Sequence, residues 1–254
     1  MSSSTWTRAE LSSSKRATSG RCWRLVEAQH HVSTAKLTDT RQEQERLEAL
    51  LEQTKPSIPE DCRELNYLLF TPFRYGAPYR RGSRFRRAGN TPGVFYAAEL
   101  PRTAATELAF HRLLFFAESP ATPWPSNAGE FTAFSVEYSA DAVDLTASPF
   151  NTHEATWTHR TDYGACQAIA DDCRSSNIDV IKYRSARSPD PATNIAILRC
   201  RAFAKSDMLD WKTWRIHLSD TGARLICELP KEVLHFDRDA FASDPRIAAM
   251  TWDR

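Results

Sequence analysis

Apolar positions along this chain of 254 residues recur at two periods, and the switches between them mark the expected elements. From Thr38 to Gln53 the leucines 47, 50 and 51 fall on one helical face among charges, which predicts an amphipathic helix. The run Lys55-Pro56-Ser57-Ile58-Pro59 ends it. Cys22 to Gln29 is expected to open the ordered chain as a short strand or helix, and Asn66 to Phe73 as a helix end or short strand. Between Arg74 and Gly93 lies a Gly/Arg/Pro-rich loop region with a strand expected near Ser83–Phe85, followed by a β segment from Val94 to Ala98. Thr103 to Ser119 predicts a helix with Thr103 as its N-cap. Phe131 to Ser139 alternates as a strand does. A helix over Asp162–Ser175 precedes a buried strand over Ile178–Tyr183 and another over Asn194–Phe203. Three short segments, Trp211–His217, Arg224–Leu229 and Val233–Phe236, read as an antiparallel meander. Helices interspersed with short strands predict an α+β fold, and the lack of a repeat or linker predicts one domain.

Composition narrows the function classes. Hydrophobic residues make up 41% and charged residues 26%, as in packed globular proteins. With 33 basic and 32 acidic residues the net charge is +1, which gives no global attraction to nucleic acid or anionic membrane. No apolar run reaches the length of a membrane span. Residues 1–21 are rich in Ser and Thr, carry no apolar core of a signal peptide, and read as a disordered tail. The six cysteines, at 22, 62, 166, 173, 200 and 227, show neither C-x-x-C nor zinc-ligand spacing. They are expected to be reduced and buried, in a cytoplasmic protein with no metal site.

A few polar residues sit where a core would prefer apolar ones. Glu107 lies near the middle of the apolar arc of its helix. A carboxylate there needs a partner, because burying an isolated charge costs several kcal/mol or more. Either the face borders a cleft, or Glu107 forms a salt bridge to Arg84 or Arg112. Arg84 belongs to a cluster with Arg74, Arg80, Arg81, Arg86 and Arg87, interleaved with Tyr75, Tyr79 and Phe85. Guanidinium groups bind phosphates with paired hydrogen bonds, although such a cluster also suits a nucleic-acid strand or a solvated loop. Tyr96 ends a β segment and offers a flat face to a ring, unless it is an ordinary core tyrosine. Ser185 follows a buried strand in the sequence Tyr183-Arg184-Ser185-Ala186-Arg187, without the G-x-S-x-G elbow of a hydrolase nucleophile. Neither G-x-G-x-x-G nor a P-loop is present. Arginine, tyrosine, glutamate and serine together suit a pocket for an anionic, aromatic ligand such as a dinucleotide.

Taken in order, Trp23-Arg24-Leu25-Val26, Gly82-Ser83-Arg84-Phe85, Gly93-Val94-Phe95-Tyr96-Ala97-Ala98, the helix with Glu107, the Tyr183–Arg187 block and Thr193-Asn194-Ile195-Ala196-Ile197-Leu198 resemble the RES-domain family. The resemblance implies a domain over 22–254 with its core at about 66–205, an N-terminal helical extension and a C-terminal β-meander. It implies an α+β fold like that of ADP-ribosyltransferase toxins, with central sheets flanked by helices. It also implies a toxin that degrades NAD by cleaving the nicotinamide–ribose bond, with water or phosphate as acceptor and no prosthetic group. Glu107, Arg84, Tyr96 and Ser185 would be the catalytic set, and Arg24 and Asn194 would join Arg84, Tyr96 and Ser185 in binding NAD. An Xre-type helix-turn-helix antitoxin would be the partner, with nucleic acid met only through it and no membrane. Protein ADP-ribosylation from the same pocket and non-enzymatic nucleic-acid binding are the alternatives. Two positions depart from the family's Gly-Gly-Arg-aromatic-Asn: Ser83 replaces the second glycine and Arg86 the asparagine.

Overall fold

A computed structural model describes residues 6, 8–28, 34, 37–75, 82–89 and 91–254. Where a tail through residue 21 was expected, a short helix α1 (Arg8–Ser14) buries Leu11, and strand β1 (Arg16–Glu27) follows directly. The Ser/Thr-rich composition concealed this strand because its stabilisation is long-range. From Arg16↔Ala142 to Glu27↔Phe131 it pairs antiparallel with β3 (Gly129–Asp144).

Helix α2 (Arg41–Thr54) starts at a capping box: Thr40 accepts from the Glu43 N–H, and the Glu43 carboxylate accepts from the Thr40 N–H. Its leucine face is not packed: Leu50 and Leu51 are exposed and no residue of the helix is buried. The apolar run after it is a helix, α3 (Tyr67–Arg74), capped by the Asn66 side chain. Helix α4 (Pro101–Glu118) begins two residues before the expected start. Pro101 takes the first helical position, where a missing N–H costs nothing, so Thr103 lies inside the helix and is no N-cap.

Eight strands run in the order β1-β2-β5-β4-β3-β6-β7-β8, with β2 at Phe95–Ala98, β4 at Val180–Arg184, β5 at Thr193–Ile197 and the meander β6 (Trp211–Ser219), β7 (Gly222–Cys227) and β8 (Glu232–Asp237). Because β1 pairs with both β2 and β3, the first five strands close into a circuit. β5 is shorter than expected and passes into a 3-10 turn at Cys200–Ala202. The remaining helices are α5 (Glu154–Trp157), α6 (Gly164–Ser175) and α7 (Pro245–Ala248). Alternation sends Cys22, Phe95, Phe134, Val136 and Ile197 into one core cluster, and Val143, Ile181, Tyr183 and Ala196 into another beneath α6. A third cluster joins Ala109, Phe110 and Leu113 of α4 to Trp214, Leu225 and Phe236 of the meander. Thus α4 is apolar on the side facing the meander, and its remaining face looks across the strands.

Two further expectations are corrected. Cys62 and Cys200 form a disulfide, with Cα atoms 5.4 Å apart, while Cys22, Cys166, Cys173 and Cys227 are free and buried. Their sequence separation of 138 carried no sign of this pairing; the folding of α3 against the 3-10 turn brings the two segments together. Ser83–Phe85 is a tight turn rather than a strand, closed by reciprocal backbone hydrogen bonds between Ser83 and Arg86. Among the described residues no helix is long and apolar enough to cross a membrane.

Candidate functional site

Strand register sets the first part of the site. Ala98 and Tyr183 both lie opposite Asn194, and Tyr96 lies opposite Ala196. Side chains alternate along strands, so Tyr96, Tyr183 and Asn194 share one sheet face. Glu107 meets that face from α4. Its Oε1 accepts a hydrogen bond of 2.6 Å from Ser185 Oγ and one of 2.7 Å from Asn194 Nδ2. These two donors compensate the partial burial of its charge. The salt bridge considered from sequence does not form, since Arg112 pairs with Glu27 and Arg84 binds backbone carbonyls. Ser185 Oγ also accepts from the N–H groups of Arg187 (3.2 Å) and Ser188 (3.0 Å), a serine turn that fixes its rotamer. The Asn194 Oδ1 is buried without a partner. Rotating the amide would turn that oxygen onto Glu107, so the carboxylate dictates its orientation.

The second part is built on the Ser83–Arg86 turn. Gly82 has φ +66°, and a Cβ there would meet the Arg86 carbonyl oxygen at 2.9 Å, so the turn requires glycine. The Tyr96 hydroxyl accepts from the Phe85 N–H at 2.9 Å and shares a 2.8 Å hydrogen bond with Ser83 Oγ. Both departures from the family sequence are thereby absorbed. Ser83 supplies a hydroxyl to Tyr96, and buried Arg86 donates to the carbonyls of Tyr75 and Thr91. Arg84 is buried, donates to the carbonyls of Trp157 and His159, and lies 4.8 Å over the Tyr163 ring. It therefore pins the 157–163 segment while delivering its charge to the wall of the site.

Arg24 arrives from β1, donating to the Tyr96 carbonyl at 2.9 Å and lying 4.9 Å over the Phe95 ring. Burial lowers its pKa to about 10, opposed by Cys22 and Tyr96, so it stays charged at neutral pH.

These residues border a cavity of about 630 Å³, within the size range of pockets that enclose small molecules. Arg24, Arg84, Tyr96, Glu107 and Asn194 line it; Ser185 does not, and reaches it through Glu107. Sequence reasoning missed His111, Tyr163, Arg187 and Arg246, which also line it. His111 is one helical turn beyond Glu107, and that spacing was a usable signal. His111 is exposed toward the cavity, and desolvation by the protein around it lowers its pKa. Glu107 opposes the shift, while Arg187, Arg246 and Arg84 add to it. Nothing near Arg246 in sequence signalled its place, because α7 reaches the cavity only through the meander.

The other described arginines of the cluster turn to structural partners. Arg74 pairs with Glu52 at 2.7 Å and Arg87 with Asp171 at 2.6 Å. Arg80, Arg81 and Tyr79 lie outside the described residues. The group of potential metal ligands found among the described residues, Asp61, Cys62 and Cys200, has its two sulfurs joined in the disulfide.

No curated protein matches the sequence. Among solved structures, a chain of the crystal structure of the M. tuberculosis MbcT–MbcA toxin–antitoxin complex is similar at 10% identity and a TM-score of 0.46, covering 80% of this chain and 88% of that one. The family model of the RES domain matches residues 58–219. That match takes in the Ser83–Arg86 turn, Tyr96, Glu107, Ser185 and Asn194, and the chain belongs to the RES-domain family.

Proposed function

We propose that the chain is a toxin-type enzyme that breaks the nicotinamide–ribose bond of NAD. The observation that carries this reading is the Glu107 carboxylate, fixed by Ser185 and Asn194 at the wall of a cavity bordered by arginines and tyrosines.

In this reaction the bond from the ribose C1′ to the pyridinium nitrogen breaks, and its electron pair leaves with neutral nicotinamide. Positive charge builds on the sugar as in other glycosidic cleavages. A carboxylate already held in place stabilises that charge without reorganising, or grips a ribose hydroxyl. An oxygen of water or phosphate then bonds to C1′ and gives up its proton. Tyr96 offers its ring to the nicotinamide, since its hydroxyl is engaged with Ser83 and Phe85. Arg84 and Arg24 supply charge for the pyrophosphate, Asn194 and Ser185 hold Glu107, and neutral His111 lies beside it as a candidate proton acceptor.

The fold would be of the ADP-ribosyltransferase-toxin type, the setting cytoplasmic, and the partner an Xre-type antitoxin. Transfer of ADP-ribose to a protein would use the same cavity. A nucleic-acid module is disfavoured because Arg74, Arg86 and Arg87 are committed to intramolecular partners.

Incubating the purified chain with NAD labelled in the ADP-ribose moiety tests the reading. Free nicotinamide with soluble labelled ADP-ribose, or its phosphorylated form, is expected. A labelled protein band in lysate would move the assignment to transfer, and intact NAD throughout would overturn it.

A further inference from the structure

The family match ends at residue 219, yet the chain continues through β7, β8 and α7 back to the cavity. Asp244, just before α7, has no exposed surface. Its Oδ1 accepts from Arg246 Nε at 3.0 Å and its Oδ2 from Arg246 Nη2 at 2.9 Å, a two-pronged pairing. The same Oδ2 lies 2.9 Å from Arg187 Nη1, off the donor axis, so this second contact is one of charge. Burial works to raise the Asp244 pKa, but the hydrogen bonds from Arg246 and the charge of Arg187 hold it below its ordinary value. One carboxylate between two guanidiniums leaves one positive charge uncompensated.

The charge is shared by the triad, and Arg246 is its accessible member. Arg187 also lines the cavity, but its side chain is only 4% exposed: it donates to the Arg160 carbonyl at 2.8 Å, stacks 3.7 Å over the Phe110 ring, and keeps its Nη1 buried without a hydrogen bond. Arg84 is buried and bound to two carbonyls. The Arg246 side chain is 33% exposed and lines the cavity, with its guanidinium held by Asp244 and beside the Tyr163 hydroxyl. A guanidinium oriented in this way, in a triad of net positive charge, suits a phosphoryl oxygen.

We propose that Arg246 binds a phosphoryl group of the ligand, with Asp244 as the positioning residue that aims it. The C-terminal segment beyond the family match would then complete the site. The phosphoryl group is either that of a bound nucleotide or free phosphate. Only this choice of ligands rests on the NAD reading.

Calorimetric titration of the full chain with ADP, inorganic phosphate and adenosine tests the proposal. Wild type is expected to bind ADP or phosphate. Arg246→Gln should weaken ADP about tenfold or more with adenosine unchanged, the size of effect expected for losing a charged hydrogen bond. If phosphate binding is lost while ADP is unaffected, the subsite serves free phosphate and the proposal stands. Arg246→Lys keeps the countercharge that Asp244 needs, guards against misfolding, and should lose less affinity. The proposal fails if wild type binds neither ADP nor phosphate. It also fails if Arg246→Gln leaves both unchanged, or if ADP and adenosine weaken equally. Nicotinamide release by wild type separates its failure from that of the NAD reading.

Discussion

Ser185 Oγ donates to Glu107 Oε1 at 2.6 Å, joining residues 78 positions apart in sequence. Asn194 shares the same oxygen. Ser185 is also absent from the cavity wall, so its contribution runs through the glutamate.

The consequence is measurable as non-additivity. Ser185→Ala should lower kcat about 10- to 100-fold with little change in KM, because the carboxylate loses orientation rather than the site its contacts. In a Glu107→Gln background the same change should add nothing. Kinetics of the two single variants and the double variant check this, and additive losses would place Ser185 on the substrate instead.

Tyr96→Phe should destabilise the protein by about 1–3 kcal/mol, since it leaves the part-buried Phe85 N–H without its acceptor. Ser83→Ala leaves that acceptor in place and should cost about 1 kcal/mol or less. Urea denaturation orders the two; equal costs would mean that Tyr96 does not anchor the turn.

Replacing Cys62 by serine opens a loop spanning 138 residues of sequence separation. Constraint of the unfolded chain predicts a loss of about 2–5 kcal/mol. Thiol titration of the unreduced, denatured protein should find the four free cysteines, and six thiols would contradict the pairing.

His111 predicts a dependence on pH. Its folded pKa lies below the ordinary 6.5, so the unfolded chain takes up the proton first as pH falls. Its contribution to stability is complete above pH 6.5 and declines as pH drops from there toward the folded pKa. His111→Gln should flatten the stability curve over that window. An unchanged slope would show that the imidazole titrates normally.

Local rules made much of this legible. The helix read over Thr38–Gln53, the alternation before Ser139 and the position of Glu107 on an apolar arc all act within a few residues, and Glu107, Tyr96, Arg84, Arg24 and Asn194 do border one cavity. What escaped was set by distant partners. β1 is held by β3, more than a hundred residues away, so its own composition gave no warning. The same holds for the Cys62–Cys200 disulfide and for Arg246, whose place depends on how the meander folds back. Thr103 was misplaced as a cap because Pro101 alters where a helix can begin.

The most direct measurement is nicotinamide released from NAD by purified wild type and by Glu107→Gln, with folding of both verified by circular dichroism. Wild type should release nicotinamide steadily, and the variant should fall by at least about a hundredfold, as expected on removing a preorganised electrostatic group. Equal rates in the two proteins, or NAD left intact by wild type, would contradict the account.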